Sequence, residues 1–99
     1  MSRPRKLEGA LDRLVSDHAP QTLLAEVQGA WPAACGEAIA ANSEPVAERD
    51  GTVTIACATG AWAQELELMG DELKSRVGAI VGPDRVRRMR FTADLARHR

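Results

Sequence analysis

Within the stretch Gly51 to Leu66, GTVTIACATGAWAQEL, the hydrophobic period changes from two to about 3.6 in a few residues. Val53, Ile55 and Cys57 share one face of an extended run. Trp62, Leu66, Met69, Leu73, Val77 and Ile80 then recur at spacings of three and four. The spacing predicts one long amphipathic helix, N-capped by Thr59 and ended by Gly82-Pro83, in which Gly70 and Gly78 each cost about 1 kcal/mol relative to Ala. A strand that hands over so abruptly makes its helix turn back over the strand's apolar face, with Trp62 plugging the end where the two layers meet. The chain is thereby committed to an α+β layered fold.

The neighbouring segments extend the sheet on both sides. PVAERDGTVTIACA reads as two extended runs about Asp50-Gly51, a pair that readily supplies the positive φ angles of a type I′ turn. In a two-residue hairpin Val53 and Ile55 face Glu48 and Val46, which makes Glu48 an awkward neighbour for a core face unless it lies at the sheet edge. In RVRRMRF, Met89 and Phe91 alternate with Arg88 and Arg90, so a strand there turns two apolar side chains inward and two arginines to the open face. Strand, helix and strand in this order form a right-handed crossover.

The first half reads as helical. Leu7, Leu11, Leu14 and Val15 line one side of a short helix, and Pro20 suits the first turn of a second in which Leu23, Leu24, Val27, Ala30 and Trp31 share a side. Pro32 kinks that helix or starts a new one, AACGEAIAA adds a turn or two, and Asn42-Ser43-Glu44-Pro45 reads as a loop. The organisation is a basic flexible arm (1–6), one domain (7–92) and a short basic tail (93–99), helical or frayed.

Composition narrows the function. No apolar run approaches the roughly 18 residues of a membrane span, and MSRPRKLEGA lacks the apolar block of a signal peptide, so a cytoplasmic protein is expected. Two cysteines, Cys35 and Cys57, are too few for a disulfide framework and lack zinc-site pairing; both read as core residues. His18 and His98 have no spaced partner, and Walker, GxGxxG and HExxH motifs are absent. Glu65, Glu67, Asp71 and Glu72 read as the solvated face of a helix. Neither an enzyme nor a need for a metal or cofactor is expected.

A net charge of −1 hides a two-ended chain: residues 1–72 carry five basic groups against twelve acidic ones, and residues 73–99 eight against two. Arg85, Arg87, Arg88, Arg90, Arg97 and Arg99 form either a phosphate-contacting strip or a merely solvated basic edge, and Arg3, Arg5 and Lys6 add contacts or act as a solubilising arm. With no Tyr and a single Phe assigned to the core, base stacking has no platform. Trp31 and Trp62 sit at core positions of their stripes, with a partly exposed protein-contact anchor as the other reading.

W-P-x-x-C-G in the second helical region, S-E-P before the hairpin, D-G-T-V-T-I at its turn, A-W-A-Q-E-L opening the next helix and R-M-R-F in the last strand together resemble the bacterial DciA family. The matching positions are Trp31, Gly36, Pro45, Asp50, Gly51, Trp62, Leu66 and Phe91, spread over about residues 20 to 92. The resemblance implies a K-homology-like domain with helices on one face of a three-stranded sheet. It also implies a non-enzymatic role in DNA replication: binding the replicative helicase DnaB, promoting its recruitment or loading, and contacting DNA weakly through phosphates. Glu48 stands where members tend to carry an apolar residue, and no GxxG loop joins consecutive helices, so RNA recognition of the K-homology kind is not implied. A small K-homology-like RNA-binding protein is the alternative, and a scaffold binding another protein through the acidic half is a third. No membrane or small-molecule partner is expected; dimerisation through a sheet edge stays open.

Overall fold

The structure, a computed structural model, describes residues 22–99. The helix read over Leu7–Val15, Pro20 and the basic arm lie outside the described residues. Thr22 opens helix α1 (Leu23–Cys35): its hydroxyl accepts a hydrogen bond from the Ala25 amide at 3.1 Å, satisfying one of the first-turn donors. The helix runs through Pro32 and stops at Gly36, whose φ of 91° is a backbone conformation that glycine adopts without the strain a side chain would bring. Gly36 also starts the short helix α2 (Glu37–Ala41).

Strand β1 (Ser43–Arg49) begins immediately after Asn42. The loop read at residues 42–45 is therefore strand from Ser43 onward. The reason lies in its hydrogen bonds: the Trp31 indole N–H donates to Ser43 Oγ at 3.1 Å, and Ser43 Oγ donates to the Ile39 carbonyl at 2.6 Å. Pro45 has no N–H to give, which an edge strand tolerates. The turn at Asp50 (φ 52°) and Gly51 (φ 87°) leads into β2 (Thr52–Cys57). Val53 faces Glu48 as expected, but Ile55 faces Pro45, because a bulge between Pro45 and Ala47 takes Val46 out of register. Glu48, the awkward neighbour, reaches round to accept the Gly51 amide at 2.7 Å and so holds the turn closed.

The long helix expected after β2 is two helices. Thr59 caps α3 (Gly60–Leu68), accepting from the Trp62 amide at 3.1 Å. At Met69 (φ −97°, ψ 11°) the backbone leaves the helical region, its amide turns to the Leu66 carbonyl, and α4 (Gly70–Val81) sets off anew. Gly70 lies against Phe91, with the ring 3.7 Å from where a Cβ would stand. Restarting the helix also changes which residues face inward. Leu73 and Val77 are buried and Val81 packs beside them, whereas Ile80, expected in the stripe, is 53% exposed.

Strand β3 (Arg88–Thr92) lies parallel to β2, giving the sheet order β1-β2-β3. The inner face stacks Glu48–Val53–Met89, Pro45–Ile55–Phe91 and Ser43–Cys57 in rows. Val27, Trp31, Leu66, Leu73, Val77 and Val86 cover it, and the chain is the expected α+β fold with a three-stranded mixed sheet. The tail forms a 3₁₀ turn (Leu95–His98) that contacts β1 and β2. Leu95 and Ala56 are both buried, yet neither belongs to the core under the helices. The turn thus closes one end of the sheet's other face.

Candidate nucleic-acid interface

Strand pairing decides which basic groups can act together. Side chains of residues directly opposite in adjacent strands project on the same side of the sheet. On the face away from the helices the rows are Arg49–Thr52–Arg88, Ala47–Thr54–Arg90 and Glu44–Ala56–Thr92. The first two rows place three arginines around two threonines, and all three arginines are exposed. None of them has an ion-pair partner among the described residues. Short β-branched residues between the arginines leave the backbone accessible from above.

The third row is closed by the C-terminal turn, and its carboxylates are occupied. Arg99 donates to Glu44 at 3.4 Å, while Asp94 accepts from the Thr92 hydroxyl and lies 3.5 Å from His98. The Thr92 hydrogen bond, with His98 beside it, holds the Asp94 carboxyl below its usual range. Acid groups at that end are thereby drawn away from the arginine rows.

The remaining residues of the expected strip disperse. Arg85 clamps Glu26 through both guanidinium nitrogens, at 2.7 and 3.0 Å, and also donates to the Val81 carbonyl. It ties α1 to the end of α4 and lowers the Glu26 carboxyl from its usual value, so its charge is already matched. Arg87 precedes β3, and its stem packs so closely on the turn that a Cβ on Gly51 would meet its Cγ at 2.8 Å. Arg97 is exposed in the 3₁₀ turn, Arg99 is engaged by Glu44, and Arg3, Arg5 and Lys6 lie outside the described residues. Arg88 and Arg90 stay together as expected. Arg49 was missed, although a two-residue turn at Asp50-Gly51 already sets it opposite Thr52.

The positions that carried the resemblance serve the fold. Trp31 is 2% exposed, Leu66 and Pro45 are buried, Asp50 and Gly51 make the turn, and Phe91 is half-buried against α3 and α4. Trp62, expected at the end where the layers meet, is partly buried and packs against the core cluster. Among the described residues no cluster of His, Cys, Asp or Glu could hold a metal ion, and no helix is long and apolar enough to cross a membrane.

The family model described as Dna[CI] antecedent, DciA, matches residues 6–91. The chain belongs to the DciA family. It is 32% identical over 91 residues to a UPF0232 protein of Rhodococcus jostii, an alignment covering 89% of this chain and 48% of the relative. A UPF0232 protein of Mycobacterium tuberculosis is 33% identical over 95 residues, covering 94% of this chain and 51% of that one. One from Streptomyces avermitilis is 32% identical over 88 residues, with 85% and 49% covered. This DciA chain spans about half the length of the curated relatives it matches.

Proposed function

We propose that this chain is a non-enzymatic replication adaptor that binds the replicative helicase DnaB and promotes its recruitment or loading on DNA, touching DNA weakly and without sequence preference. The observation that carries the DNA part is the exposed pair of rows Arg49–Thr52–Arg88 and Ala47–Thr54–Arg90 on the side of the sheet that no described helix covers. Guanidinium groups there can each meet a phosphate, and the rows hold no aromatic side chain on which a base could stack. Support for the helicase part is membership of the DciA family.

The test is DNA affinity against salt concentration for the wild type and for Arg49→Ala, Arg88→Ala and Arg90→Ala combined. Each lost phosphate contact removes about 0.9 from the slope of log affinity on log salt, so a flattening of about 2 to 3 is expected, equal for unrelated sequences. An unchanged slope would remove the sheet face from the interface. RNA affinity that depends on sequence, together with indifference to the helicase, would favour the alternative of an RNA-binding module.

A further inference from the structure

The sheet has two edges, and they are finished differently. β1 is closed to another strand: Pro45 has no N–H, its carbonyl accepts from Gln28 Nε2 at 2.9 Å, and the bulge between Pro45 and Ala47 interrupts the run of pairing groups. β3 contains no proline and pairs with β2 in regular register from Arg88 to Thr92. The Arg88 amide donates to the Gly51 carbonyl at 3.2 Å, which turns the backbone groups of Arg88 toward β2. Successive residues of a strand send their N–H and C=O to opposite sides, so Arg90 also bonds β2, whereas the amides and carbonyls of Met89 and Phe91 face the open edge. Among the described residues nothing bonds them. Two donors and two acceptors thus stand in line, which is what an extended peptide needs to add a strand.

The side chains flanking this edge select the strand. On the open face of the sheet Arg88 and Arg90 are exposed and have no ion-pair partner among the described residues. Between β3 and the junction of α3 with α4, a pocket of about 320 Å³ is lined by Leu68, Met89 and Phe91 and by charges of both signs, Glu67 and Asp71 beside Lys74 and Arg87. Leu68 is 84% exposed. The pocket side therefore sets no preferred sign and offers apolar surface, while the arginine side asks for carboxylates. A second copy does not meet that demand: β3 against β3 sets arginine against arginine on one face, and β1 is closed. Nor does the chain's own start, since residues 1–21 carry four basic groups against three acidic ones.

We infer that the β3 edge takes up an extended acidic segment of a protein partner as a fourth strand, its carboxylates meeting Arg88 and Arg90 and its alternate, apolar side chains lying over Leu68 and Met89. Such a strand occupies two of the three arginines of the open face, so partner and DNA exclude one another. Only that consequence rests on the DNA reading above.

The experiment titrates the full chain with a labelled synthetic peptide that alternates glutamate with valine, followed by fluorescence anisotropy and by amide hydrogen exchange. Saturable binding is expected, about 10-fold or more tighter than for the same peptide with lysine in place of glutamate, and Arg88→Glu with Arg90→Glu, both exposed, should invert the preference. In the complex the Met89 and Phe91 amides should exchange about 10-fold or more slowly than in the free chain. A version of the peptide N-methylated throughout keeps the charge but loses the donors, and should not bind. Equal affinity for that version, or unchanged exchange at Met89 and Phe91, would overturn strand addition. Slow exchange at those amides without peptide, deepening with protein concentration, would assign the edge to a second copy and overturn it as well.

Discussion

Helices α1 and α3 start with the same device and end with different uses. Each opens on a threonine whose hydroxyl accepts the amide three residues on at 3.1 Å, and each carries one tryptophan. α1 is enclosed by α4 on one flank and β1 on another, so Trp31 is buried and its indole N–H is consumed by Ser43. α3 touches β2, β3 and α4 with its inner side, and Trp62 is only partly buried at the margin of the core. A local signal starts a helix, but the number of neighbours decides how completely its tryptophan is buried.

The largest test of that contrast replaces the two tryptophans. Trp31→Ala is expected to cost roughly 3–5 kcal/mol, and Trp62→Ala less, roughly 2–3 kcal/mol, because part of its ring stays in water on folding. Urea unfolding of both variants measures the gap; equal losses would erase the distinction. Next comes Ser43→Ala, which leaves the buried Trp31 N–H without its acceptor at roughly 1–3 kcal/mol. Combined with Trp31→Phe the serine's effect should shrink, since the donor it serves is gone, and a double-mutant cycle reads that coupling.

Smaller still, Thr22→Ala and Thr59→Ala should each cost about 1 kcal/mol. Similar values would confirm that the two caps are locally alike whatever their helices do later. The smallest effect is on acid. Arg85 depresses the Glu26 carboxyl below its ordinary 4.5, so the clamp contributes stability above that pH and loses it as pH falls through the depressed value. Wild type should therefore lose more stability than Glu26→Gln between neutral pH and pH below 4.5, in denaturant midpoints followed against pH. A parallel decline would show that the clamp contributes nothing to folding.

Much of this fold was legible because its signals are short-range. The alternation Val53-Ile55-Cys57, the Asp50-Gly51 turn, the Thr59 cap and the alternation of Arg88 and Arg90 with Met89 and Phe91 all act within a few residues. What escaped depends on distant groups. Continuous spacing from Trp62 to Ile80 cannot show that the backbone breaks at Met69, where Gly70 meets Phe91. Ser43 reads as loop until Trp31, twelve residues away, is known to need its oxygen. For the arginines, sequence proximity grouped Arg85 with Arg88, whereas Glu26, far away in the chain, claims Arg85 and strand pairing supplies Arg49 instead.

Cys35, at the end of α1, and Cys57, at the end of β2, are both buried, and loss of solvent pushes each thiol up to about 11. Neither forms much thiolate at neutral pH, and neither can be reached by a reagent without separating helices from sheet. Alkylation is then limited by how often the domain opens. The two thiols make the chain its own clock for transient opening: equal modification rates mean that α1 and the sheet part in one cooperative event, and unequal rates mean that one layer frays before the other.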